Sequence, residues 1–209
     1  MLAIAGGKGG CGKTTTALGV ARAMARAGRR PVVVDADLDM PDLHRQAGVA
    51  QTPGVATAAS RSAPLEVAHP STCVDGVDVL PAAGASPVAL ASVLDALETS
   101  DRPVLLDCPA GAGPDGAVPL RAATHSVLVS TPTRQSLLDA VKTAAMARQL
   151  DSPPALTVVS RSEGDVDPTP LLGRQPTVHV PDVSLPPLEA TEPATRYREV
   201  VKNLKKRNA

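Results

Sequence analysis

The sequence predicts an α/β fold: one domain, residues 1–209, built on a mainly parallel β-sheet with helices on both faces. Three observations lead there. Short apolar runs rich in Val, Ile and Leu are interleaved with longer stretches whose apolar residues return every three or four positions, the pattern of βα units. Several of the strand-like runs, Val32 to Val34 and Val104 to Leu106 among them, are apolar throughout, as strands buried on both faces are. Two of them end in aspartates, Asp35 and Asp107, at the strand end where ligands meet open α/β sheets.

The first run is Leu2 to Ala5, followed by Gly6 to Thr16 and then a stretch with Leu18, Ala21, Met24 and Ala25 at helical spacing. Within it Gly7 to Thr14 fits G-x-x-x-x-G-K-[ST], and the flanking strand and helix are the context that makes this motif a phosphate loop rather than a glycine-rich turn. Gly7, Gly9, Gly10 and Gly12 lack Cβ, so the backbone curls and aims its N–H groups inward, those of Cys11 and Thr15 included. The helix starting near Lys13 adds the positive end of its dipole. Lys13 is spaced to reach the β- and γ-phosphates of a nucleotide, and Thr14 to put its hydroxyl on Mg²⁺.

Pro31 to Ala36 contains Val32, Val33 and Val34 and reads as the next strand, with Gly28 stopping the helix before it. Asp35, Asp37, Asp39 and Asp42 follow closely; the last two read as caps of the next helix. Residues 49–75 show no sustained period and are expected to be loop or short helices, with Val67 as an anchor. His69 and Cys73 stand four apart, but two residues do not make a metal site. Gly76 to Leu80 is a strand. Pro87 to Leu97 is a helix with Val88, Leu90, Ala91, Val93, Leu94 and Leu97 on a buried face, started by Ser86 or Pro87.

Val104-Leu105-Leu106-Asp107 is an apolar strand ending in a carboxylate, about 95 residues after the phosphate loop, a pattern in which the Asp holds Mg²⁺ through water. Ser126 to Thr131 is a strand, Gln135 to Leu150 a helix buried through Leu137, Leu138, Val141 and Ala145, and Leu156–Val159 and Thr177–Val180 are strands. Pro193 and Ala194 open a last helix with Tyr197, Val200, Val201 and Leu204 on one side. Residues 162–176 are short and polar, too little for a full helix.

Composition narrows the chemistry. Phe and Trp are absent and Tyr197 is the only aromatic, which argues against base-stacking nucleic-acid platforms and leaves phosphate-backbone contact open. Lysines and arginines balance acids at 21 each, yet residues 196–209 hold six cations against Glu199, so a mildly acidic body carries a basic tail suited to an anionic partner. Cys11, Cys73 and Cys108 have no C-x-x-C spacing; an odd count with no secretory signal predicts the reducing cytoplasm, and no run approaches the length of a membrane span.

Gly-Lys-Gly-Gly-x-Gly-Lys-Thr-Thr, from Gly7 to Thr15, resembles the deviant phosphate loop of the MinD/ParA family of ATPases, closest to the MinD-like members. Asp35-x-Asp37 resembles that family's first switch, and Asp107-x-Pro109-Ala110-Gly111 its second. The resemblance spans nearly the whole chain and implies a P-loop NTPase fold, ATP and Mg²⁺ as ligands, and a homodimer formed on ATP binding. It implies that Lys8 crosses to the partner subunit's phosphates, that Asp37 orients water, that Thr14, Asp35 and Asp107 serve the metal, and that the Gly111 N–H meets the γ-phosphate. Ser160 and Arg161 stand where relatives have an adenine-reading Asn, and Val180-Pro181-Asp182 resembles the loop beside the base. The resemblance further implies the positioning of a cargo in cell division, segregation or another process, turnover that is weak without an activator, and a cytoplasmic protein that works at a membrane or nucleoid surface. A basic amphipathic last helix fits a docked end better than a membrane anchor, because only Lys205 to Ala209 follow its apolar residues. Two other readings stand beside this one: a nucleotide-gated adaptor with negligible turnover, and a cluster-loading ATPase of the Mrp kind, which the missing C-x-x-C pair weighs against.

Overall fold

The computed structural model describes residues 1–183, 188 and 190–207. Its strands are β1 (Leu2–Gly6), β2 (Val32–Asp35), β3 (His69–Pro70), β4 (Asp78–Leu80), β5 (Val104–Ala110), β6 (His125–Ser130), β7 (Pro154–Ser160) and β8 (Thr177–Val180). They form one sheet in the order β3-β4-β2-β5-β1-β6-β7-β8. All neighbours are parallel except β3, which runs antiparallel to β4. The helices are α1 (Lys13–Arg26), α2 (Leu43–Ala47), α3 (Val55–Ala58), α4 (Pro87–Leu97), α5 (Ala117–Ala122), α6 (Arg134–Gln149), α7 (Thr169–Leu172) and α8 (Thr191–Arg207).

Strand alternation sorts the core into two layers. Ile4, Val33, Leu105, Val127 and Leu156 face α1, α2 and α8. Ala3, Ala5, Val32, Val34, Val104 and Leu106 face α3, α4 and α5, and Leu128 joins α6 and α7 on that side. With no Phe or Trp available, close approach of small residues replaces bulk. At Gly19, inside α1, an added Cβ would lie 2.3 Å from the Tyr197 ring: the missing side chain is the slot that seats the one aromatic of α8.

Strand β5 runs three residues past Asp107, through Pro109. The Asp107 carbonyl accepts from the Ala36 N–H, so the residue two further on faces the same side, beyond the end of β2, where a missing N–H costs no ladder bond. Helix α8 begins two residues earlier than expected, with Pro193 in its first turn where no intrahelical donor is needed. It is docked through Tyr197, Val200 and Val201. Residues 208 and 209 of the predicted tail lie outside the described residues. Among those described, no helix is long and apolar enough to cross a membrane.

Two side-chain expectations are corrected. Val88 is 78% exposed, because the stripe that meets the sheet runs Leu90, Val93, Leu94, Leu97 and Val88 lies about 200° from its start. Helix α6 is turned from its predicted face: Ser136, Leu137, Ala140, Thr143, Ala144 and Ala147 are buried, whereas Ala145 is exposed and Leu138 and Val141 are only half-buried. Ser136 tolerates burial because its hydroxyl accepts from Ser130 Oγ at 2.9 Å and from the Thr131 N–H at 3.0 Å. In the 49–75 region Val67 packs half-buried against the core, as expected, and Val55, Ala58 and Val74 are buried completely.

Candidate functional site

Strand β1 has β5 on one side and β6 on the other, so the loop after it opens where the chain's connections diverge, the usual ligand crevice of such sheets. The carboxyl ends of β2, β5, β7 and β8 bring Asp35, Asp107, Ser160 and Val180 to the same edge.

In the loop, Gly10 and Gly12 have φ of 73° and 90°, the left-handed region that side chains disfavour. Gly12 is the N-cap of α1, and its carbonyl accepts from the Thr16 N–H at 2.9 Å. No neighbouring heavy atom would lie within 4 Å of a Cβ at Gly9 or Gly10, whereas one at Gly7 would overlap the α6 backbone at Asp139 and Ala140. One wall of the loop therefore rests on α6 and the other is open. Lys13 is buried at 8% exposure and its charge reaches Asp107. Lys8 is exposed. Its charge helps to hold down the Asp139 carboxyl, behind the hydrogen bonds from Gln135 and Lys142.

Asp35 and Asp107 are strand partners, at 0% and 2% exposure. Asp35 Oδ1 accepts from the Asp37 N–H at 3.2 Å, but Asp35 Oδ2 and Asp107 Oδ1 are buried without a partner. Burial, then the neighbouring Asp107 charge, pushes Asp35 up to about 8. Burial pushes Asp107 to about 7, against the pull of the Thr14 hydroxyl and Lys13. Two orphaned acceptor oxygens beside a threonine hydroxyl suit a hard cation. No three acidic, histidine or cysteine side chains among the described residues form a cage of their own.

These two acids make stability pH-dependent. A folded-state value above the free value of 3.8 means that the native state carries extra protons between about pH 4 and 8. That contribution is complete below the window and is lost as pH rises through it. The thermal midpoint of the ligand-free protein is expected to fall from pH 5 to pH 8, and Asp35→Asn to flatten the fall. A parent profile that rises across the same range would contradict the buried carboxylate pair.

Asp37 is half-buried, and its Oδ1 accepts from the Met40 N–H at 3.0 Å. Asp39 is exposed. Asp42 occupies the N-cap position of α2 yet makes no capping bond. Its carboxylate instead accepts from Thr14 Oγ1 at 3.3 Å and from Gln46 Nε2 at 2.9 Å, while Thr15 Oγ1 donates to Gln46 Oε1 at 3.2 Å. The expected cap is therefore a ring of four side chains tying α2 to the first turn of α1. Only the i,i+4 spacing of Asp42 and Gln46 hinted at it.

The Gly111 N–H donates to the Gly6 carbonyl at 3.0 Å, so the donor that the resemblance aims at a γ-phosphate is engaged within the chain. Ser160 Oγ is turned into the phosphate loop, 2.7 Å from the Cys11 carbonyl. Arg161 is exposed with φ of 54°. Pro181 is buried and Asp182 exposed; both follow Val180, the register partner of Ser160. Cys11 and Cys108 are buried, and burial pushes both thiols up. His69 Nε2 lies 2.7 Å from the Pro53 carbonyl.

Residues 2–209 match the CobQ/CobB/MinD/ParA nucleotide binding domain family. An uncharacterized ATP-binding protein of Methanocaldococcus jannaschii is 28% identical over 195 residues, 89% of this chain and 73% of that protein. An iron–sulfur cluster carrier protein of Deinococcus radiodurans is 30% identical over 176 residues, 79% of this chain and 49% of that protein. Among solved structures, the septum site-determining protein MinD of Pyrococcus horikoshii, complexed with Mg-ADP, has a TM-score of 0.81 at 23% identity and covers 100% of this chain and 98% of its own.

Proposed function

The chain belongs to the CobQ/CobB/MinD/ParA nucleotide-binding family, and on that premise we propose that it is an ATPase switch of the MinD/ParA kind, using Mg²⁺ and dimerising on ATP. The observation that carries this reading is the pair of buried strand-end carboxylates with orphaned oxygens beside Lys13 and Thr14. Such a pair is costly unless a cation is meant to meet it.

Catalysis then rests on charge and position. Lys13 and the loop N–H groups take the charge of the β- and γ-phosphates. Asp37 orients a water whose oxygen bonds to the γ-phosphorus as the bond to the bridging oxygen breaks, leaving ADP and phosphate. Mg²⁺ when bound neutralises phosphate charge, and Thr14, Asp35 and Asp107 are the residues that would hold it, the carboxylates through its water. Lys8 is exposed at the rim of the loop, available to a second subunit. Dimerisation is expected with a slowly hydrolysed ATP analogue in sedimentation velocity, and Lys8→Ala is expected to stay monomeric while still binding nucleotide. A variant that dimerises like the parent rejects the cross-subunit lysine.

A second reading, a nucleotide-gated adaptor with negligible turnover, is favoured by the engagement of Asp37 Oδ1 by Met40 and of the Gly111 N–H by Gly6. Phosphate release above a no-enzyme blank separates the two. The same engagements leave room for an activating cargo protein that frees these groups. The exposed Arg198, Lys202, Lys205 and Lys206 of α8 support contact with anionic membrane or DNA. Cluster carrying finds less support, since Cys73 is the only exposed cysteine.

A further inference from the structure

We propose that Ser160 is a positioning residue of the phosphate loop and not a reader of the base. The inference rests on the nucleotide-binding reading above. Ser160 closes β7 at 8% exposure. Its Oγ lies 2.7 Å from the Cys11 carbonyl and 3.3 Å from the Ser130 carbonyl. A hydroxyl has one proton to give, and both neighbours are acceptors, so the shorter contact takes it. The only donor that the side chain owns is therefore committed to the loop.

The bond acts on one peptide plane. The carbonyl of Cys11 and the N–H of Gly12 belong to the same trans peptide and point in opposite directions. Gripping the carbonyl toward β7 aims the Gly12 N–H away from it, toward the open side of the loop. Gly12 is also where the chain enters α1 with φ of 90°. A Cβ there would sit 3.7 Å from Ser160 Cβ and Oγ, so Ser160 faces Gly12 across a gap about one methyl group wide. Cys11 itself is held in the core at 1% exposure, and the peptide that follows it is thus fixed from both ends. Ser130, whose carbonyl is the second acceptor, ends β6, which lies between β1 and β7. The hydroxyl thus sits between the phosphate loop and the end of β6, and gives its proton to the loop.

A residue that shapes the phosphate cradle affects every polyphosphate alike; a residue that reads adenine affects only nucleotides, and those unequally. Calorimetric titration of the parent and Ser160→Ala with Mg-ATP, Mg-GTP and inorganic tripolyphosphate separates these roles. Ser160→Ala is expected to weaken all three by a common factor of roughly 5 to 50, the size for a buried carbonyl left without its donor. The ATP-to-GTP ratio stays at the parent value, and Ser160→Thr, which keeps the hydroxyl, binds like the parent. Ser160→Cys keeps the volume and weakens the donor, and gives a smaller common loss if alanine disturbs the fold. Loss of ATP affinity with tripolyphosphate unchanged would restore the base-reading role and overturn the inference, as would unchanged binding of all three. A parent that binds neither ATP nor tripolyphosphate would remove the phosphate-loop reading itself.

Discussion

Lys13→Ala is expected to lose at least about 100-fold in ATP affinity or turnover, the scale of removing one preorganised cationic donor from a buried phosphate site. The side chain is 8% exposed, and it is the cation whose charge holds Asp107 down against burial. Its removal leaves the phosphates without their point charge and the buried Asp107 without the lysine that opposes its burial. Both losses act against binding a polyanion. Lys13→Arg is not expected to rescue, because a planar fork does not fit a slot shaped for a compact ammonium. Titration calorimetry with Mg-ATP and a phosphate-release assay read the effect. Binding within a factor of about two of the parent would sink the assignment.

Gly7→Ala is expected to destabilise the fold by about 2–4 kcal/mol and to lose nucleotide binding at the same time. A Cβ at residue 7 would lie 2.1 Å from the Asp139 carbonyl carbon, 2.4 Å from the Ala140 nitrogen and 2.5 Å from Asp139 Cβ. The first two are helix backbone, which cannot rotate out of the way, so α6 or the loop must move bodily. Moving the loop also shifts the start of α1, because Gly12 and Thr16 are bonded across that junction. Gly9→Ala is the control: no neighbouring heavy atom would lie within 4 Å of the new atom, and its stability should stay within about 0.5 kcal/mol. Urea unfolding of the two variants checks the contrast. Equal stabilities would mean that the loop does not rest on α6.

Features whose cause is local were legible in the sequence. The apolar runs became the parallel strands because burial on both faces demands uninterrupted Val, Ile and Leu. The glycines of the phosphate loop announced backbone geometry that other residues resist. Features decided by packing were hidden. The α6 face could not be read from apolarity, since Ser136 and Thr143 are buried through hydrogen bonds while larger apolar residues stay half out. Helix α5 is six residues long, too short to establish a period. Asp42 looked like a cap because capping is the usual fate of an aspartate before a helix. It is bonded to Thr14, 28 positions away, and no local pattern encodes that. The direction of Ser160 was concealed for the same reason: its acceptor lies 149 residues earlier.

The fit of Tyr197 over Gly19 gives the molecule a built-in optical gauge. With neither Trp nor Phe present, all intrinsic tyrosine emission originates from a single ring, and that ring is wedged between α8 and the rod whose far end bears the phosphate loop. Any ligand or surface that tugs on α8 changes the solvation of that lone fluorophore, so lifting of the helix can be followed without a label.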